Sequence, residues 1–308
     1  MKNESEGIKP HLEITQGAWT TVDNNKIIYK NNSETNPNKE ESRRKTYLRG
    51  SVNFGSGAIE YKFTTTHYKT SVALLLTNYK NEKIFVGNSI THAAFMIGSS
   101  SQEGLQPFVK GGSLKNYSDI AQKTFSCRTE VIGSNIKLYV NEVLMCEHTV
   151  SIKESPFELY VASDGEVEVF GIQIYRERPK IFVVMQFSKE YDELFEEVIK
   201  PVVEKMGYDC IRGDMFYKSQ PILSDIIQSI IDSEAIIAEI TPDNPNVFYE
   251  IGYSHAIDKP TILLCDKERG KIPFDISGFR TLFYENTIPG KTRIENDLRK
   301  YIAQLGGR

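Results

Sequence analysis

One acidic side chain, Glu250, lies in a stretch whose residue types and spacing could do chemistry. Asn244 suits the N-cap of a helix, and Pro245 suits its first turn, because a fixed φ and a missing N–H cost nothing there. Glu250 then falls in the second turn. Asn246 and Tyr253 share its face, since residues three or four apart are neighbours on a helix. A carboxylate grouped with an amide and a phenol resembles the polar set of a small-molecule site.

Glu250 has two interpretations from spacing alone. A glutamate on a helix is most often a solvated surface carboxylate, and this is the more common case. The alternative is a carboxylate that acts on a sugar. Breaking a C–N glycosidic bond builds positive charge on the sugar ring, and a buried carboxylate can stabilise or capture that charge.

The second half of the chain, from Ile181 onwards, alternates strand and helix patterns and predicts a parallel sheet with helices on both faces. Ligands of open α/β sheets bind at the carboxyl ends of the strands. Asp192 fits an acidic first helical turn as well as a ribose contact, and both interpretations stay open. The side chains expected to converge at this edge as substrate-binding groups are Gln186, Phe187, Ser188, Asp192, Arg212, Asp214, Glu239, Asp243, Asn244, Asn246 and Tyr253.

Two segments carry a resemblance to a known family. Asn-Pro-Asn-Val-Phe-Tyr-Glu-Ile-Gly-Tyr-Ser-His-Ala, residues 244–256, and the strand Lys-Ile-Phe-Val-Val-Met-Gln-Phe, residues 180–187, resemble the nucleoside 2-deoxyribosyltransferase-like family. That family is a flavodoxin-like relative of bacterial TIR domains. The likeness covers about the last 130 residues. It implies a flavodoxin-like C-terminal domain over residues 179–308.

The resemblance also implies an activity, cleavage of the N-glycosidic bond of a nucleotide or NAD. Glu250 stands at the position of the family's nucleophile, and Asp243 or Asn244 at that of the base-contacting aspartate. Glu239 replaces an aspartate common in relatives, which leaves a preference for deoxyribose in doubt. NAD would be a substrate here, and no cofactor is expected. The same resemblance implies a homo-oligomer and a nucleotide-depleting role in bacterial defence.

The first half of the chain, residues 1–175, reads as many short strands with few helical patterns. The runs are 19–29, 47–54 (which alternates only loosely), 58–63, 71–76, 83–86, 93–97, 127–132, 136–140, 157–161 and 167–175, with a Gly/Ser-rich interruption after Ile97. Such a pattern predicts an antiparallel β-sandwich. The strand order is similar to that of concanavalin-like jelly rolls, which implies a sensing or binding domain with an unknown trigger or partner.

Exposed aromatic residues of this half have two interpretations. Tyr68, Tyr79 and Tyr117 could stack on a sugar or a base, but tyrosine is also common in strands and at protein interfaces, which is the more frequent case. The segment 31–44, rich in Asn, Glu and Lys, predicts a mobile loop. Fold alone does not assign a ligand to such a sandwich.

Composition and charge limit the remaining classes of function. The net charge of −4 gives no general reason to bind nucleic acid. We expect no membrane span and no signal peptide, because Met1–Gln16 is polar and no apolar run approaches about 20 residues. Four scattered cysteines without C-x-x-C spacing predict buried free thiols, a cytoplasmic location and no metal site.

Two other classes of function compete with the N-glycosidase. One is a non-catalytic nucleotide-binding or scaffold protein that keeps the fold without turnover. The other is a cytosolic glycan-binding module built on the first domain. No paired carboxylates in that domain indicate hydrolysis of a glycan.

Overall fold

The computed structural model describes residues 7–17, 20–23, 26–30, 45–112, 123–215, 223–269, 271–272, 276, 279 and 281–305. Its residues group into two compact units. The N-terminal unit comprises 1–131, 135–148 and 152–177, and the C-terminal unit comprises 132–134, 149–151 and 178–308. The predicted division into independent domains at 175 and 179 stays a prediction. The predicted loop 31–44 and Tyr117 lie outside the described residues.

The N-terminal unit is built from strands alone among its described elements. The strands are β1 (Leu12–Gln16), β2 (Thr20–Asp23), β3 (Lys26–Tyr29), β4 (Lys45–Phe54), β5 (Gly57–Thr65), β6 (Thr70–Thr77), β7 (Lys83–Ser89), β8 (Ala94–Ser101), β9 (Gly104–Gly111), β10 (Thr124–Ile132), β11 (Asn135–Val140), β12 (Val143–Thr149), β13 (Ser155–Ser163) and β14 (Val167–Arg176). The first sheet has the order β1-β4-β13-β6-β7-β8-β9, and the second has the order β12-β11-β10-β5-β14-β3-β2.

The two sheets form an antiparallel β-sandwich of jelly-roll type, and side chains from both meet in its core. The Phe95 ring of the first sheet lies 6.1 Å from the Phe125 ring of the second. The hydroxyl of the buried Tyr29, on the second sheet, donates to the carbonyl of Ser163, on the first, at 3.1 Å. The predicted sandwich is therefore observed. Strands β1, β9 and β12 are additions that the sequence pattern did not predict.

Strand β13 shows why the first sheet presents a second, different face. Phe157, Leu159 and Val161 are buried in the sandwich core, while Glu158 and Tyr160 between them are only partly buried. Alternate side chains of a strand point to opposite faces, so these two residues lie on the side away from the second sheet. That outer face carries the cleft described below.

The C-terminal unit contains a five-stranded parallel sheet in the order β16-β15-β17-β18-β19. Its strands are β15 (Lys180–Val184), β16 (Asp209–Arg212), β17 (Ala235–Glu239), β18 (Thr261–Asp266) and β19 (Thr281–Tyr284). Its helices are α1 (Lys189–Leu194), α2 (Lys200–Lys205), α3 (Leu223–Asp232), α4 (Pro245–Ala256) and α5 (Ile288–Leu305), with a π-helical turn over Phe195–Ile199 and a 3-10 turn over Gly213–Met215. The predicted alternation is observed.

Two apolar cores cover the two faces of this sheet. One joins the sheet to α1, α2 and α5 through residues such as Val183, Phe195 and Leu298. The other joins it to α3 and α4 through residues such as Phe182 and Ile251. Strands buried on both faces need continuous apolar runs, which explains the sequence Ile-Phe-Val-Val in β15.

The helix α4 begins as its sequence predicts. Asn244 has an extended backbone, and its side-chain oxygen accepts the N–H of Asn246 at 3.0 Å. Pro245 occupies the first helical position. Among the described residues, no helix combines the length and apolar character needed to cross a bilayer. The four cysteines are buried and unpaired, as expected.

We predict that Phe182→Ala lowers the free energy of unfolding of the C-terminal unit by about 3–5 kcal/mol, because the change leaves a cavity against α3 and α4. Urea unfolding followed by circular dichroism measures this loss. The matched control is Phe283→Ala on the edge strand β19, where the ring is 46% exposed and the expected loss is below about 1 kcal/mol. Equal losses in the two variants would contradict the assignment of this core.

Candidate functional site

A cleft of about 380 Å³ lies on the outer face of the first sheet. Strands β4, β6, β7, β8, β9 and β13 and the loops after β7 and β13 supply its walls. Its volume falls within the range of small-molecule sites, roughly 300–1,000 Å³. The lining residues are Lys45, Tyr47, Lys69, Ser71, Leu75, Phe85, Ser89, Ile90, Thr91, Ser100, Ser101, Gly104, Leu105, Tyr160, Ala162, Ser163 and Asp164.

Aromatic rings form the centre of the cleft. Tyr47 and Tyr160 are directly opposite each other on neighbouring strands, with ring centroids 5.2 Å apart. Phe85 lies edge-on to Tyr160 at 6.0 Å. Both tyrosine rings pack against a buried apolar cluster formed by Ala73, Leu75, Phe85 and Met96. The apolar floor therefore continues upward into two half-buried rings that each carry a hydroxyl group.

Burial keeps both phenols in the protonated state. It raises the pKa of Tyr160, and the neighbouring Tyr47 and Tyr29 add to the rise. It also raises the pKa of Tyr47, to which the Glu158 carboxylate contributes. Each hydroxyl can therefore donate a hydrogen bond as well as accept one across the neutral pH range.

A chain of hydroxyl groups fixes one end of the cleft. The hydroxyl of Thr70 lies 2.7 Å from those of both Thr65 and Ser163, and it donates to the carbonyl of His67 at 2.6 Å. The N–H of Asp164 donates to the carbonyl of Lys69 at 3.1 Å. These bonds hold the loop before β6 against the loop after β13. The residues that the two loops contribute to the cleft are therefore fixed in position.

The carboxylates around the cleft bear on its chemistry. Asp164 is the one carboxylate among its described lining residues. Glu158 lies on the same face but accepts a hydrogen bond from Lys83 at 3.0 Å. Six residues of extended chain separate the two acids, roughly 20 Å, whereas glycoside hydrolysis needs paired carboxyl groups about 5–10 Å apart.

The predicted site in the C-terminal unit separates into several groups. Arg212 at the end of β16 donates to Asp192 at 2.8 Å and to Asp214 at 2.5 Å, and it lies 5.5 Å from the Phe187 ring centroid. The carbonyl of Ser188 accepts the N–H of Asp192 at 2.8 Å. These predicted residues do meet. Gln186 precedes Phe187 and is partly buried.

Asp192 and Asp214 both pair with Arg212, so the guanidinium charge is balanced within the chain and the three side chains together carry a charge of −1.

The other predicted residues in this unit have structural partners. Asp243 accepts a hydrogen bond from Arg269 at 2.5 Å. Asn244 and the exposed Asn246 form the helix cap, and Tyr253 packs against the core on the α4 face. Asn246 takes part in the cap through its backbone N–H, and its side chain is exposed.

Glu250 stands apart from the rest. It is partly buried on α4, and burial raises its pKa to about 7 without a contribution from any charged neighbour. No hydrogen bond or ion pair joins its carboxylate to another predicted site residue in the described part of the chain. No described group is therefore placed to orient Glu250 as a nucleophile.

Glu239, the last residue of β17, is fully buried. Its Oε1 accepts the N–H of Thr241 at 2.7 Å, and its Oε2 has no hydrogen-bond partner within the described residues. Burial raises its pKa to about 7, and contacts with Thr241 and Tyr284 oppose the rise only in part. Glu239 is therefore largely protonated below neutral pH.

Within the described ranges, no cluster of His, Cys, Asp and Glu is placed to hold a metal ion.

No protein-family model matches this chain, and no curated protein does. Solved structures do. The carbohydrate-binding module CBM66 from Bacillus subtilis is 12% identical, with 53% of this chain and 95% of that chain covered and a TM-score of 0.42. The Bacillus licheniformis β-glucanase is 11% identical, with 57% and 95% covered and a TM-score of 0.37. The Caenorhabditis elegans galectin LEC-6 is 14% identical, with 41% and 90% covered and a TM-score of 0.30.

These comparisons correct the predicted activity. They give no support for a nucleoside 2-deoxyribosyltransferase-like or TIR-like domain, for NAD as substrate or for a role in defence. The prediction of a nucleotide N-glycosidase acting through Glu250 was wrong: the similar solved structures named above are a carbohydrate-binding module, a β-glucanase and a galectin.

The cleft residues were missed by sequence reasoning. Tyr47 and Tyr160 stand in alternating strands, and the only available signal was their position between buried neighbours, as in Phe-Glu-Leu-Tyr-Val at 157–161. Of the tyrosines considered for sugar stacking, Tyr68 is exposed beside His67 at a ring distance of 4.5 Å, and Tyr79 is half-buried. Neither lines the cleft.

We predict that the free energy of unfolding falls as pH rises from about 4.5 to about 7, because the pKa of Glu239 is higher in the folded chain than its ordinary value of 4.5. Its contribution is complete below about pH 4.5 and is lost through pH 7. Glu239→Gln stays neutral, so its fall should be smaller by up to about 3 kcal/mol, at about 1.4 kcal/mol for each pH unit. The remaining fall is attributed to Glu250, which has a similarly raised pKa.

Urea unfolding between pH 4.5 and pH 8.5 measures the effect. Glu268→Gln, which changes an exposed carboxylate of the same unit, is the control and should follow the wild-type curve. Parallel curves for wild type and Glu239→Gln would contradict the assignment.

Proposed function

We propose that the N-terminal β-sandwich is a glycan-binding module and that the cleft on its first sheet is the binding site. The observation that carries this proposal is the pair of half-buried rings, Tyr47 and Tyr160, with centroids 5.2 Å apart above an apolar floor. The ligand is a short segment of an oligosaccharide, which the cleft binds without cleaving.

Sugars match this surface because they are amphipathic. One face of a pyranose ring carries C–H groups that pack against an aromatic ring, and its edge carries hydroxyl groups. Tyrosine offers the complementary combination, an apolar ring and a polar tip. Phe85 and Leu75 extend the apolar floor, so that a sugar ring packed on Tyr160 also contacts aliphatic and aromatic carbon.

The rim supplies hydrogen-bond partners for sugar hydroxyls. Thr91, Ser100 and Ser101 line the cleft and are partly or fully exposed. Ser71 and Ser89 are buried and already bonded, to the N–H of Ile90 and to the His92 ring. The Ser101 hydroxyl is also bonded, since it donates to the carbonyl of Gly104 and accepts the N–H of Glu103. The hydroxyls of Thr91 and Ser100 are therefore the ones available to a ligand, and the bonded ones hold the wall of the cleft in place.

The acids near the cleft do not form a pair that lines it. Asp164 is the carboxylate in the described lining, Glu158 is paired with Lys83, and Glu166, two residues from Asp164, does not line the cleft. In the C-terminal unit, the strand order supports a flavodoxin-like assignment. Its function, the homo-oligomer and the cytoplasmic location remain predictions.

We predict that Tyr47→Ala and Tyr160→Ala each weaken binding of an oligosaccharide about tenfold or more, because each change removes half of the stacking surface. A glycan array identifies a ligand, and isothermal titration of the full-length protein then measures its dissociation constant. The expected order is wild type, then the single variants, then an undetectable signal for the double variant.

The matched control is Tyr249→Ala in the C-terminal unit, where the tyrosine is 50% exposed and its loss should leave binding unchanged. Circular dichroism verifies that each variant is folded. Unchanged affinity in both cleft variants would exclude the cleft as the site. Release of reducing ends from the bound oligosaccharide would show that the protein hydrolyses it, contrary to the proposal.

A further inference from the structure

The two ends of the cleft differ in charge. Lys45, the first residue of β4, pairs with Ala162 near the end of β13, and Lys69 lies in the loop just before β6. Both lysines line the same end of the cleft. Ser100 and Leu105, which are paired on β8 and β9, line the opposite end. The cleft therefore runs from a basic end to an uncharged one.

A third lysine belongs to the basic end. The pairing of β8 with β9 shifts by one residue between Ile97 and Gly98, and Lys110 is consequently paired with Met96, a residue of the cleft floor. Burial lowers the pKa of His92, and the positive charge of Lys110 lowers it further, which places this lysine near the loop that carries Thr91. Lys45 and Lys69 therefore line this end of the site, and Lys110 lies near it without lining the cleft.

Acidic side chains compensate this charge only in part. Asp164, the carboxylate in the described lining, lies 4.0 Å from the ammonium group of Lys69, and both side chains are solvent-exposed. An exposed pair at that distance is weak. Lys45 has no acidic partner among the described residues. The end is therefore locally basic on a chain whose net charge is −4.

We propose that the cleft selects an anionic saccharide, with its carboxylate or sulfate group at the end bounded by Lys45 and Lys69. This inference rests on the proposed glycan-binding function and adds the chemical class of the ligand. Tyr47 and Tyr160 bind the sugar ring, and the lysines donate charge-assisted hydrogen bonds to the anionic substituent. The exposed hydroxyl groups at the other end contact the uncharged part of the saccharide.

Three probes test the proposal on the full-length protein by isothermal titration. The first is a hexuronic acid oligomer, and the second is the same oligomer after reduction of its carboxylates to primary alcohols. The third is a sulfated oligomer of the same neutral hexose. We expect at least one anionic probe to bind about tenfold more tightly than the reduced oligomer. Its affinity should fall about tenfold when NaCl is raised from about 50 mM to about 500 mM.

Substitutions locate the charge effect. Lys45→Gln and Lys69→Gln should each weaken binding of the anionic probe about fivefold and leave the reduced oligomer unaffected. The matched control is Lys26→Gln on the second sheet, where the lysine pairs with Glu168 at 3.0 Å. It should change neither affinity.

Each outcome decides one of the two proposals. Preference for the uronate or for the sulfated oligomer supports the inference and names the anionic group. Equal binding of all three probes, lost in Tyr160→Ala, overturns the anionic specificity and leaves the glycan-binding function in place. A charge preference that Lys45→Gln and Lys69→Gln retain overturns the assignment to this end of the cleft. Absence of binding for every probe and across a glycan array overturns both.

Discussion

The alternation of side chains along strand β13 is the constraint on which the N-terminal unit depends. Phe157, Leu159 and Val161 belong to the sandwich core, and Tyr160 belongs to the cleft, within a single strand. A shift of one residue in the pairing of this strand would exchange the two sets, because side chains alternate with a period of two. Pairing on both sides, with β4 and β6, prevents that shift. The core that stabilises the sandwich therefore also positions the ligand-binding ring.

In the C-terminal unit, charged residues at the sheet edge pair with one another. Asp192 and Asp214 are bonded to Arg212, and Asp243 is bonded to Arg269. Groups paired in this way hold the loops after the strands in place. Residue types that attract attention in a sequence can thus be explained by the requirement that partly buried charges be paired.

Much of the fold could be predicted from periodicity. The apolar run of β15 and the helix start at Asn244 are local signals, and both are observed. Strand β9 was missed because its segment contains Pro107 and glycines at both ends and is half-exposed throughout, as an edge strand permits. Its identity depends on pairing with β8, a contact between segments that local propensity does not encode.

The candidate site could not be predicted in the same way. Tyr47 and Tyr160 are more than 100 positions apart, and only the antiparallel pairing of β4 with β13 makes them neighbours. Glu250 drew attention because it stands in a recognisable segment. Its surroundings, which decide whether a carboxylate reacts, come from other parts of the chain and include no described orienting group. The sequence therefore predicted helices and strands well, but it did not predict which side chains come together in a site.

The shifted pairing between β8 and β9 has a consequence for how such a module diversifies. Strand β9 is at the margin of its sheet and pairs only with β8 among the described strands, so one additional residue is accommodated there without moving the core. Beyond the shift, the strand presents Lys110 opposite the cleft floor in place of its apolar neighbour Val109. Insertion or loss of one residue in an edge strand can therefore reverse which side chains face a ligand. Gain or loss of a single codon in this strand can therefore change the ligand preference and leave the sandwich core unaltered.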